Sequence, residues 1–115
     1  MTVQECYAHM NGDYEDTIGR LMSDDRIVKY LNKFAAGDDY NSLLTALSEK
    51  RYEDAFRHAH NLKGMSLNLG ITALAKSGSE VCEALRGGAP TVDIEPMLAV
   101  LKQDYENTMA AISQL

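Results

Sequence analysis

The sequence contains no tryptophan, two prolines, two cysteines and two phenylalanines among 115 residues. So little proline leaves long helices uninterrupted. Cys6 and Cys82 lie far apart and without CxxC spacing, which excludes the usual zinc and thioredoxin-like motifs. Two free buried thiols in a reducing cytoplasm fit this usage, with a structural disulfide or a reactive thiol as the alternatives. No run approaches the roughly 18 consecutive apolar residues of a membrane span. The opening "MTVQECYAHMNGD" lacks a basic segment followed by an apolar one, so no secretion signal is expected and the location expected is cytoplasmic. Positive charge is also scarce. There are 11 Lys+Arg against 17 Asp+Glu, a formal net charge of -6, which argues against a nucleic-acid partner. No repeat, low-complexity tract or cleanly alternating strand pattern is present.

What is abundant is helix-forming. Hydrophobic residues make up 45% of the chain, enough for one core, and there are many Leu, Ala, Glu and Lys. The periodicity predicts helices over about 2–10, 14–22, 25–36, 40–50, 52–69, 72–86 and 94–114. Asp13, Asp24 or Asp25, and Thr72 are the expected caps, with Gly37 and Gly70 as stops. "SDD" and "GDD" read as capping sequences and not as catalytic acid pairs. Leu43, Leu44 and Leu47 are expected on one buried face. Ile94, Met97, Leu98, Leu101, Tyr105, Met109 and Ile112 draw the last stripe, and Pro96 falls in a tolerated first turn. Short loops imply antiparallel packing. The fold expected is all-α: an antiparallel four-helix bundle of about 40–50, 52–69, 72–86 and 94–114, with 25–36 packed beside it. The additional short N-terminal helices, about 1–22, either extend a docking surface or cap the bundle. Residues 1–115 read as a single, free-standing domain, expected to be a monomer.

The informative segment is "AFRHAHNLKG", residues 55–64. At 100° per residue, Ala55, Ala59, Leu62, Ser66 and Leu69 share one side of the helix. His60 points almost the opposite way, toward solvent, which is not how a histidine filling a core is placed. Side chains lean toward a helix N-terminus, so residue 64 lies over residue 60. Gly64 leaves the imidazole open, at a cost of about 1 kcal/mol relative to alanine. Because Gly64 faces away from the core stripe, access by a large partner explains it better than helix packing. Lys63 and Arg57 bring positive charge beside His60, suited to an anion there. Phe56 and Leu67 add apolar area on the same side, a docking patch unless they touch the N-terminal helices instead. A neutral imidazole is a good nucleophile near pH 7 and can accept a phosphoryl group. No water-activating carboxylate is adjacent in the helix, Glu53 being two turns back.

"AHNLKGMSLNLG", Ala59 to Gly70, resembles the signature of histidine-containing phosphotransfer (HPt) domains of two-component phosphorelays. The match falls on His60, Leu62, Lys63, Gly64, Ser66, Asn68, Leu69 and Gly70. Met65 departs from a position where small residues are frequent. The helical order resembles the family from about residue 24 to 115, and residues 1–22 match no part of the motif. The resemblance implies a four-helix bundle whose His60 takes phosphate, through Nε2, from an aspartate of a receiver domain and passes it to another. It implies that Lys63 supports the phosphate and Gly64 admits the receiver. It implies response-regulator receiver domains and a hybrid histidine kinase as partners, no cofactor of its own, and Mg2+ held by the receiver. No ATP site is expected, hence a carrier and not a kinase.

Two other functions compete: a helical adaptor that binds signalling proteins without phosphorylation, and a phosphatase using His60. The phosphatase needs a pocket of converging acids that an open helix face does not supply. The remaining histidines have quieter readings. His58 lies near the core's edge, points away from His60, and is expected to hydrogen-bond there instead of pairing with it on a metal. His9 reads as surface, and the six methionines as core filler. Gly78, mid-helix, reads as a packing gap or weak point, the alternative being close approach of a neighbouring helix.

Overall fold

Capping side chains set the helix starts in the first third of the chain. A computed structural model describes residues 1–115 as seven helices and no strands: α1 (Val3–Met10), α2 (Tyr14–Leu21), α3 (Asp24–Ala36), α4 (Asp39–Ser48), α5 (Tyr52–Asn68), α6 (Thr72–Ala84) and α7 (Glu95–Ile112). Thr2 and Glu5 form a reciprocal capping box on α1, and the Asp13 carboxylate accepts from the Asp16 amide on α2. Ser23, not Asp24 or Asp25, caps α3 by accepting from the Arg26 amide. The two aspartates fall in the first turn, where their charge complements the helix dipole. Thr72 does not cap α6 either. Ile71 occupies the capping position, and the Thr72 hydroxyl donates back to the Gly70 carbonyl at 3.4 Å. α5 stops because Gly70 takes φ +66, where any Cβ would also collide with the Thr17 hydroxyl.

The bundle is α4, α5, α6 and α7. α5 packs most extensively against α6 and α4, and α7 packs on α6. The ring closes through Tyr40 of α4 and Tyr105 of α7, stacked with centroids 4.0 Å apart, while Phe34 of α3 flanks the same Tyr105 ring at 6.4 Å. The predicted stripe of α5 is buried at Ala55, Ala59, Leu62, Ser66 and Leu69. Its small residues let neighbours come close, and burial of Leu62 alone contributes about 2 kcal/mol. Leu43 is buried as expected, but Leu44 is 39% exposed, and Tyr40 and Ala46 take its place on the buried face of α4. Gly78 is buried on α6, with its missing Cβ position 3.7 Å from the Lys63 Cα. It is therefore a close-approach position between α6 and α5, with room left for a methyl. Cys6 and Cys82 are free and buried, and α1 supplies Val3, Cys6, Tyr7 and Met10 to the common core. No helix is long and apolar enough to cross a membrane.

The N-terminal helices close one end of the bundle, the end where α5 terminates. A helix leaves its last carbonyls without intrahelical donors. Here Tyr7 donates its hydroxyl to the Leu69 carbonyl at 2.7 Å, joined by Thr17 at 3.1 Å. Arg20 donates to the carbonyls of Asn68 at 2.8 Å and Leu67 at 3.4 Å. The Asp13 amide donates to the Gly70 carbonyl at 2.8 Å. Residues from α1, the turn after it and α2 thus complete the C-terminus of the histidine-bearing helix.

Candidate functional site

α5 runs the length of the bundle with one face buried and the other free. About three turns of that free face carry the residues singled out from the sequence. His60 is exposed, Leu67 is 55% exposed, Phe56 and Lys63 are half-buried, and Arg57 is exposed. Apart from the helix's own backbone and the two adjoining residues, no heavy atom lies within 4 Å of the position a Cβ would take at Gly64. The backbone beside the imidazole therefore opens on solvent.

Neither ring nitrogen of His60 has a hydrogen-bond partner in the protein, and the neighbour of its ring is Phe56, centroids 6.1 Å apart and planes 22° from parallel. His58, two residues earlier, behaves differently. Its Nδ1 donates to the Asp39 carboxylate at 3.0 Å, which ties α5 to α4. Asp39, the one aspartate within α4, is thereby engaged by His58.

The cations divide between the two sides of His60. Arg57 is paired with Asp54 at 3.1 Å, and Asp54 is also held by Arg51 at 2.6 Å. The Arg51 hydrogen bond, with the Arg57 charge added, keeps the Asp54 carboxyl below its ordinary range. Arg57 is thus tied into a surface ion network and not free beside the imidazole. Lys63 makes no ion pair and faces the seam between α5 and α6. Burial pushes the Cys82 thiol up, and the Lys63 and Arg86 charges pull it partly back. Lys63 also lines an open cleft of about 450 Å³ with Ser66, Leu67, Lys76 and Ser79.

One residue was not legible from the sequence. Arg86, two residues past the end of α6, places its guanidinium 5.1 Å from the centroid of the Phe56 ring. It is clamped by Glu83 through two hydrogen bonds of 3.1 and 2.8 Å, which hold the Glu83 carboxyl below its ordinary range. Nothing in "ALRGG" marks this arginine as more than the end of a helix. The neighbours of the Phe56 ring are thus Arg86 and His60. Phe56 lies under the turn after α6, near Leu85, Gly87 and Gly88. Leu67, by contrast, has its backbone carbonyl beside Arg20 of α2 while its side chain stays exposed. No three His, Cys, Asp or Glu side chains come together as a metal site.

Fold and surface together define a helical bundle that holds one histidine outward on its second helix, beside a lysine and an unshielded backbone. The family model for the Hpt domain matches residues 34–113, more than half of the chain, and the chain belongs to that family. Comparison with curated proteins and with solved structures returned no match. The matched stretch starts inside α3 and contains α4 to α7 whole; α1 and α2 lie outside it. Hpt domains serve phosphotransfer in phosphorelays as carriers and not kinases, meeting receiver domains and histidine kinases.

Proposed function

We propose that this protein carries phosphate on His60 between receiver domains of a phosphorelay. A lone pair of the neutral His60 imidazole, on Nε2, attacks the phosphorus of an aspartyl phosphate on the donor receiver. The N–P bond forms as the O–P bond breaks, and the bonding pair leaves with the aspartate carboxylate. The ring keeps its Nδ1–H and becomes an N-phosphoryl imidazolium. The reverse sequence on a second receiver delivers the group. Positioning and charge neutralisation are most of what such a transfer asks of the protein. Mg2+ held by the receiver would supply charge neutralisation at the phosphoryl oxygens, and Lys63 is this chain's own cation for them. Gly64 lets the receiver's loops reach the ring, and Phe56, Arg57 and Leu67 form the surface on which it docks.

The observation that carries this reading is an exposed imidazole with both nitrogens free of protein partners, next to a glycine with nothing packed over it. The same freedom suits a carrier, because no carboxylate is bonded to the ring to activate water. Asp39 is spent on His58, and Glu83 on Arg86.

The test is transfer from a phosphorylated receiver domain. The wild-type chain is expected to acquire acid-labile phosphate, and His60→Gln none. Labelling of His60→Gln at the wild-type level would remove His60 as the acceptor. No labelling of either protein across several receivers would favour the adaptor instead.

A further inference from the structure

A histidine that works as a nucleophile is ordinarily oriented by a hydrogen bond to its second ring nitrogen. His60 has no such bond, and its ring would be free to turn about χ2 unless something else holds it. What stands beside it is the Phe56 ring, nearly parallel at 22°. Phe56 is itself covered by the Arg86 guanidinium at 5.1 Å, within cation–π range. Arg86 is fixed in turn by its two hydrogen bonds to Glu83. Four side chains thus form a ladder from α6 across the seam to the exposed face of α5.

We propose that Arg86 is a positioning residue for phosphotransfer. Acting through Phe56, it fixes the plane of the His60 imidazole so that the attacking nitrogen points along the line of transfer. The inference rests on His60 being the phosphoryl acceptor. In-line displacement is sensitive to the direction of the attacking lone pair, and small misplacements cost rate steeply. The arrangement also keeps both ring nitrogens in solvent. A hydrogen bond to a carboxylate would hold the ring equally well, but it would place a base beside the bound phosphate. An aromatic stack orients the ring without one.

The experiment compares wild type with Arg86→Gln, Arg86→Lys and Phe56→Leu in two measurements on the full chain. The first is made without phosphate. Ring-to-ring nuclear Overhauser contacts between Phe56 and His60 report whether the stack persists. They are expected to weaken in Arg86→Gln, to recover in part in Arg86→Lys, and to vanish in Phe56→Leu. The second is single-turnover transfer from a saturating phosphorylated receiver. Arg86→Gln is expected to slow it about fivefold, as loss of one such contact implies, with the receiver concentration at half-maximal rate unchanged and Arg86→Lys, which keeps the charge but not both hydrogen bonds to Glu83, restoring part of the loss. Unaltered ring contacts in Arg86→Gln, or a wild-type transfer rate, would overturn the proposal. A defect confined to the half-maximal concentration would also overturn it, by making Arg86 a docking residue. Wild type that accepts no phosphate would fail the carrier reading instead, and the ring contacts would still decide what Arg86 does to the imidazole.

Discussion

Gly64 sets stability against access within a single residue. A helix interior disfavours glycine by about 1 kcal/mol relative to alanine, and at this position nothing lies near enough for a methyl to strike. Gly64→Ala is therefore expected to raise unfolding stability in urea by up to about 1 kcal/mol. It is expected to slow transfer from a receiver, because the methyl would stand in the receiver's approach and not in the protein's own packing. A variant that gained no stability would mean the glycine serves the fold. Much at this scale was legible beforehand, since one helical period fixes both the stripe from Ala55 to Leu69 and the outward direction of His60. Arg86 was not legible. Its contact with Phe56 depends on where α6 lies over α5, and 30 residues of chain separate the two. The ion pair of Arg57 with Asp54, three residues back on the same helix, is a second contact that the wheel around His60 left out.

Among the elements, α1 and α2 have the clearest mechanical role. Their polar side chains take the place of the helical turn that α5 no longer has. Arg20 supplies donors to two of its last carbonyls while paired with Asp16 at 2.9 Å. Arg20→Ala is expected to cost about 1 kcal/mol and to speed hydrogen exchange at the amides around Leu69 to Ile71. Exchange unchanged there would show that water replaces the guanidinium without loss. Helix positions were legible to within about two residues, as periodicity and caps allow. The closure of α5 was not, because side chains that donate to distant backbone carbonyls leave no periodic trace. Leu44 shows the opposite error. Three leucines in five residues look like one face, yet a ten-residue helix covering only part of the bundle buries just Leu43 fully.

The whole molecule bears acid and base differently. Four tyrosines have hydroxyls raised above the ordinary range. Tyr7 is pushed up to about 12 chiefly by burial, and Tyr40 and Tyr105 rise for the same reason. Tyr14 rises mainly through its hydrogen bond to Asp24. A raised folded-state value means the folded chain holds the proton more tightly than the unfolded one. The stabilisation is complete below about 10 and is lost as pH climbs from there through about 12. Circular dichroism along an alkaline titration should show cooperative loss of helix in that window. Tyr7→Phe should be about 1 kcal/mol less stable at neutral pH through its lost bond to Leu69, and its stability should fall less steeply with pH above 10. An alkaline transition identical to wild type would show that Tyr7 ionises without unfolding the chain.

The Hpt match opens at Phe34, whereas the oily interior draws on Val3, Cys6, Tyr7 and Met10. A version pruned to residues 34–113 would thus keep every signature residue and lose a wall of its own house. Bare carbonyls would dangle where α5 ends, and hydrophobic flank would lie open to water, inviting clumping. The smallest stable form of the chain is thus set by the contacts of Tyr7 and Arg20, and not by the borders of the motif.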